Sequence, residues 1–132
     1  MTATAWTAKE LAEFDAHDEL QIASLRPDGA PGSDRTIWAV RLGEDIYARS
    51  VNGRDSAWFR STRARHEGRV RVGTVTKDIT MIDIDEADAI EDRLDAAYQA
   101  KYHRYAQSII DRINSPAARA ATIRLVPHAT ER

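Results

Sequence analysis

Ile46-Tyr47-Ala48-Arg49-Ser50-Val51-Asn52-Gly53-Arg54-Asp55-Ser56-Ala57-Trp58-Phe59-Arg60 reads as a strand, a tight turn and the start of a helix. Ile46, Ala48 and Ser50 alternate with Tyr47, Arg49 and Val51, the period of two of a strand. Asn52-Gly53 is turn chemistry, because both residues tolerate positive φ. Asp55 or Ser56 suits an N-cap, and Trp58 and Phe59 give the following helix a buried side. Arg49, Arg54, Arg60 and Arg63 surround the junction. A helix N-terminus presents unpaired N–H groups and partial positive charge, and arginines add forked donors, so the junction is suited to an anion such as phosphate. The same residues also fit an ordinary hairpin-to-helix connection with solvated arginines.

Upstream of this stretch, Gly43-Glu44-Asp45 makes a short turn from a strand over 35–42. That strand carries apolar residues on both parities (Ile37 and Ala39; Trp38, Val40 and Leu42), which predicts cover on both faces. Pro27 to Gly32 is a loop, and 19–26 is a further strand with Leu20 and Ile22 on one face. Thr7 with Glu10 forms a capping box for a first helix within 6–18, whose Leu11 and Phe14 face the core.

Downstream, the helix over 56–67 is expected to end at Gly68 as its C′ residue. Arg69 to Val75 alternates as a half-exposed strand. Lys77-Asp78 is read as the turn into a strand over 79–85, with a bulge near Met81-Ile82. Asp85 or Asp88 caps a helical part over 88–113, where Ile90, Leu94, Ala97, Tyr98, Tyr102 and Tyr105 recur at helical spacing. Ser115-Pro116 starts one more helical turn, and 122–126 is a last strand stopped by Pro127. The order is α, three strands, α, two strands, long α, strand, which predicts a single α+β domain over 1–132. Its six mainly antiparallel strands can close into a barrel that removes exposed edges.

With 132 residues, 42% hydrophobic and 30% charged, the chain has the means for one core and a soluble surface. A net charge of −2 argues against general nucleic-acid binding. The absence of cysteine excludes disulfides and thiol chemistry, and no run of apolar residues is long enough to span a membrane. The first residues lack the basic and apolar regions of a signal peptide, so a cytoplasmic setting is expected. His17, His66, His103 and His128 show no metal-ligand spacing, and no metal is expected.

Several stretches carry a resemblance. Tyr47-Ala48-Arg49-Ser50, Ala57-Trp58-Phe59-Arg60, Ala97 to Tyr102 and Ala120 to Pro127 resemble a bacterial family of unknown function, domain of unknown function 2255, over about residues 5–127. More distantly, Ser50-Val51-Asn52-Gly53, Trp58-Phe59 and Val70-Arg71-Val72 resemble the split β-barrel superfamily. That superfamily holds pyridoxamine-phosphate-oxidase-like proteins and deazaflavin-dependent nitroreductases. Asp28 to Ser33 stands where the latter carry Gly-Arg-Lys-Ser-Gly, which favours FMN over a polyglutamylated deazaflavin.

The resemblance implies a flavin-type cofactor, FMN or deazaflavin, in a homodimeric oxidoreductase. Its phosphate would lie at Arg49, Ser50, Asn52, Gly53, Arg54 and Arg60, near Trp58. Its ring would lie along the second and third strands by Trp38, with Arg35 at the strand start. Tyr102, Tyr105 and Lys101 are candidate proton donors or pocket residues. In the alternative reading the fold is kept without cofactor, as a small-ligand-binding or dimeric interaction module, and Tyr98, Tyr102 and Tyr105 form a packing stripe.

Overall fold

The computed structural model describes residues 5–25, 28, 30, 32, 34–51, 53, 59–60, 66–84 and 89–128. Helix α1 (Ala8–Ala16) precedes strands β1 (Glu19–Ser24), β2 (Arg35–Leu42), β3 (Asp45–Arg49), β4 (Glu67–Val72) and β5 (Val75–Asp83). Then come α2 (Ile90–Lys101), α3 (Gln107–Ile113), the single turn α4 (Pro116–Arg119) and β6 (Thr122–Pro127). The six strands close an antiparallel barrel in the order β1-β2-β3-β6-β5-β4, with β4 returning to β1.

Alternation along each strand sorts side chains between two layers. The inner parity fills the barrel: Leu20 and Ile22, Ile37 and Ala39, Ile46 and Ala48, Val70 and Val72, Ile79 and Met81, Ile123 and Leu125. Trp6, Leu11 and Phe14 join this core. The Trp6 indole donates to Leu125 O at 2.9 Å and meets Phe14 edge-on at 4.9 Å. The outer parity of β2 and β3 (Val40, Tyr47) packs against Leu94, Tyr98 and Tyr102 of α2 and its C-cap, and against Ile110 and Ile113 of α3. The strand with apolar groups on both faces is therefore covered on both, by the barrel interior and by α2.

The capping box forms as read: Glu10 N–H donates to Thr7 Oγ1 at 3.1 Å and Thr7 N–H to Glu10 Oε1 at 2.9 Å. Four expectations are corrected. The hairpin after β4 turns at Gly73-Thr74, with Val72 opposite Val75 and Gly73 at φ 55, while Lys77 and Asp78 lie inside β5. Glycine supplies the positive φ that this two-residue turn needs. Gly68 is not a helix cap but a residue of β4. A Cβ there would come within 2.3 Å of Met81 Cε and 2.5 Å of Ala23 O, and the positive φ falls on His66 instead. So the helix expected to reach residue 67 has given way to strand by Glu67; of its span, only Phe59 and Arg60 are described as helical, and Phe59 is buried in the barrel core. No bulge occurs near Met81, since β5 keeps one register against β6 from Ile79–Pro127 to Asp83–Ile123. Finally, the N-cap of α2 is Ala89, with no side-chain capping bond; Asp85 and Asp88 lie outside the described residues. The long helical part bends after Tyr102 and resumes as α3.

Candidate functional site

β2 is flanked by two strands that part from it at the same place. β1 accompanies it only up to the Glu19–Trp38 pair, and β3 only up to Ala39–Ala48. The main-chain groups of Trp38 and Ala39 therefore lose strand partners on opposite edges, and buried peptide groups need replacements. Helix α2 supplies them. Tyr98 Oη donates to Trp38 O at 3.3 Å and receives the main-chain N–H of Arg49. On the other edge, Ala39 N–H donates to Tyr102 Oη at 3.2 Å, and Tyr102 Oη donates to Asp18 O at 2.6 Å. Lys101 Nζ donates to Ala39 O at 2.7 Å and to Phe14 O, at the C-terminal end of α1, at 2.8 Å.

These roles explain the ionisation of the cluster. Burial raises the Tyr98 and Tyr102 hydroxyls far above the ordinary tyrosine range. Burial also lowers Lys101 to about 8; Asp15 and Asp18 oppose this through space. Tyr105 lies nearer the surface and donates to Asp18 Oδ2 at 2.7 Å; Arg104 binds the same oxygen. That bond raises Tyr105 and lowers Asp18. The Trp38 indole stacks on Tyr102, with centroids 3.8 Å apart and planes 2° from parallel, and Tyr105 leans on it at 4.9 Å. Beside Lys101 is a narrow crevice, too tight to admit a water molecule, lined by Phe14, His17, Asp18, Glu19 and Val72 among others.

The candidate phosphate residues separate. Arg49, at the end of β3, is 1% exposed and every N–H of its guanidinium has an internal acceptor. Nε donates to Thr122 Oγ1 at 3.1 Å. Nη1 donates to Asp95 Oδ1 at 2.7 Å, Asn114 Oδ1 at 2.9 Å and Ile113 O at 3.3 Å. Nη2 donates to Glu91 Oε1 at 2.7 Å and Glu91 O at 3.1 Å. Arg119 completes the network, reaching Asp95 and Asp92 at 3.0 Å each. The guanidinium thus fastens β3 to α2, α3 and the start of β6, and has no donor left over for an anion.

Ser50 is buried and its N–H donates to Ala121 O at 3.2 Å. Gly53 N–H closes the turn on Ser50 O at 2.9 Å, at φ 80 and with Ala117 3.3 Å from where a Cβ would sit, so the turn chemistry read in the sequence is present. Arg60 is exposed, and Arg35 is exposed at the start of β2. Where the two strands part after Ala39–Ala48, Tyr98 Oη stands between Trp38 O and Arg49 N–H, and the Ser50–Gly53 turn follows on the Arg49 side of that corner. Asn52, Arg54 and Trp58 lie outside the described residues. No cluster able to hold a metal ion occurs among the described residues, and no described helix is long and apolar enough to cross a membrane.

Glu91, Asp95 and Asn114 are the residues that reading the sequence misses. Their signal is present: Glu91 falls in line with Leu94 and Tyr98 on the buried side of α2, an acid where an apolar residue is due.

A family model of uncharacterized proteins conserved in bacteria, DUF2255, matches residues 10–125. The chain belongs to DUF2255. No curated protein matches it. Among solved structures, the DUF2255 chain is similar to the haem storage protein HutZ of Vibrio cholerae, at 12% identity and TM-score 0.66, over 95% of this chain and 91% of that one. It is also similar to an F420-H2 dependent reductase at 11% identity and TM-score 0.61, over 83% of this chain and 94% of the other. An FAD-binding protein of Mesorhizobium loti matches at 15% identity and TM-score 0.53, over 96% and 92%. At such identities the likeness is one of fold: the DUF2255 barrel is a split barrel, a fold it shares with the haem storage protein, the F420-H2 dependent reductase and the FAD-binding protein.

Proposed function

We propose that this protein binds a small flavin-type cofactor, FMN or a deazaflavin, at the corner shared by Trp38 and the Ser50–Gly53 turn, and acts as an oxidoreductase. The observation that supports this reading is the register itself. It ends at Ala39–Ala48, so the half-buried Trp38 and the strand end leading into the glycine turn lie at the place where β2 and β3 part, in a fold whose similar structures include a haem storage protein, an FAD-binding protein and an F420-H2 dependent reductase. The residues fit such a group in part. Trp38 offers a ring for stacking, and Arg60 is an exposed cation beyond the turn. Arg49 is spent on internal carboxylates, and the main chain of Trp38 and Ala39 is taken by α2. A bound flavin supplies hydride or electron transfer; the chain's own part is to orient the ring and exclude water from one side. A homodimer in the cytoplasm belongs to the same reading.

Equilibrium dialysis with FMN tests it. Trp38→Ala and Arg60→Ala are each expected to weaken retention about tenfold, the size of one aromatic contact or one charge-assisted bond. Equal retention by both variants and the wild type removes the site.

A second reading is favoured by the saturation of Arg49 and by the Trp38–Tyr102 stack. These groups satisfy one another, as they would in a module that keeps the fold without a cofactor and takes a different small ligand or a second copy of the chain. A colourless protein that ignores flavins but gains thermal stability from another metabolite supports this reading.

A further inference from the structure

The half-buried indole of Trp38 is the centre of an aromatic cluster. Tyr102 stacks on it at 3.8 Å, Tyr105 leans on it at 4.9 Å, and Tyr98 stands 5.9 Å behind Tyr102. Indole and phenol rings are among the side chains most easily oxidised by one electron, and rings in contact exchange electrons readily. An oxidised phenol is a very strong acid, so a tyrosine gives up its electron easily only where a base takes its proton in the same step. The three tyrosines differ in that base. Tyr98 and Tyr102 are buried, and their hydroxyls donate to main-chain carbonyls, Trp38 O at 3.3 Å and Asp18 O at 2.6 Å. An amide carbonyl is a feeble base. Lys101, which shares Ala39 O with Tyr102, is a cation below about pH 8 and has no lone pair to offer. Tyr105 is half-buried and donates to the carboxylate of Asp18, Oδ2 at 2.7 Å. With Arg104 on the same oxygen, that carboxylate is still a far stronger base than a carbonyl.

We propose that Trp38 and Tyr105 form a one-electron relay, with the Asp18 carboxylate as its proton acceptor, for one-electron oxidants that reach the Trp38 indole. In the first step the oxidant takes one electron from the indole. In the second, Tyr105 returns one electron to the indole while its phenol proton passes to Asp18 Oδ2. The products are the reduced oxidant, an intact Trp38, a neutral radical on Tyr105 and a protonated Asp18. Tyr102 holds the indole in place and takes no part in the transfer. The relay does not rest on the flavin reading. Its oxidant can be a dissolved one, so it stands if FMN is not retained, and its failure leaves FMN retention untouched.

The experiment is flash photolysis of the full chain with a ruthenium tris-bipyridine photo-oxidant and a cobalt(III) ammine as electron acceptor, followed by transient absorption. A Trp58→Phe background leaves Trp38 and the buried Trp6 as the indoles. If that background does not fold, the same comparison is made with Trp58 present in every arm. The expected result is an indole radical that converts to a tyrosyl radical, more slowly in heavy water. Tyr105→Phe is expected to abolish the conversion and leave a long-lived indole radical, whereas Tyr102→Phe keeps it. Asp18→Asn is expected to slow it about a hundredfold, the size of one positioned proton acceptor. Circular dichroism establishes that each variant is folded. A tyrosyl signal that persists in Tyr105→Phe, that forms as fast in Trp38→Phe, or that is indifferent to both Asp18→Asn and heavy water overturns the relay.

Discussion

Two cations, the buried Arg49 and the half-buried Lys101, lie one toward each end of α2 and are handled in opposite ways. Arg49, packed against the first half of the helix, is pinned by two carboxylates, Glu91 and Asp95, each at 2.7 Å. Lys101, in its last turn, has only the carbonyls of Phe14 and Ala39. Carbonyl dipoles return less of the hydration energy of a charge than carboxylates do, and desolvation accordingly draws Lys101 down to about 8. A planar fork with several fixed acceptors can join four segments of chain. An ammonium held by two carbonyls joins three: its own helix α2, the end of α1 and β2. The contrast assigns the Arg49 end to holding the architecture and the Lys101 end to sealing the seam where β1 leaves β2.

The sharpest break of that contrast is Arg49→Met. It leaves Glu91 buried without its counter-charge, so unfolding free energy is expected to fall by about 3–5 kcal/mol in a denaturant titration. A loss under 1 kcal/mol would mean that the network is not the strut described here. Next in size is Tyr102→Phe. Removing the hydroxyl strands the Ala39 N–H and Asp18 O while keeping the stack on Trp38, for an expected loss of about 1–3 kcal/mol. Faster amide exchange confined to the β1–β2 seam would locate the damage.

A third test is read in the pH profile. Lys101 titrates near 8 when folded and near its ordinary value when unfolded. Between those values the unfolded chain binds more protons, so stability rises with pH across that window, by at most about 1.4 kcal/mol per unit. Tyr98 and Tyr102 work in the other direction. Their folded values lie above the ordinary 10, so above pH 10 the unfolded chain releases protons that the folded chain keeps, and stability falls. Stability is expected to peak near pH 10, and Lys101→Met is expected to remove the rise below the peak but not the fall above it. A fall beginning at pH 8 in the wild type would contradict both assignments.

Much of the barrel was legible because its inner layer obeys one rule. Ile46 and Ala48, Val70 and Val72, and Leu20 and Ile22 alternate without exception, and period two alone places them inside. The outer layer obeys several rules at once, and reading it from sequence succeeds less often. Gly68 looks like a helix cap, and only the closeness of Met81 and Ala23 explains why it is glycine. Arg49 looks like a ligand residue because its partners, Glu91, Asp95 and Asn114, are more than forty residues away and come together only in three dimensions. Tyr98 and Tyr102 recur at helical spacing and do share one buried stripe. Their hydroxyls, though, serve strand edges whose parting no local pattern announces.

The claim on which the functional account rests is that the corner at Trp38 holds a flavin. The measurement that tests it most directly is the visible absorbance spectrum of the purified protein, taken again after adding FMN and removing the excess. The account predicts a flavin band that stays with the protein and diminishes in Trp38→Ala. A protein colourless before and after the addition would contradict it.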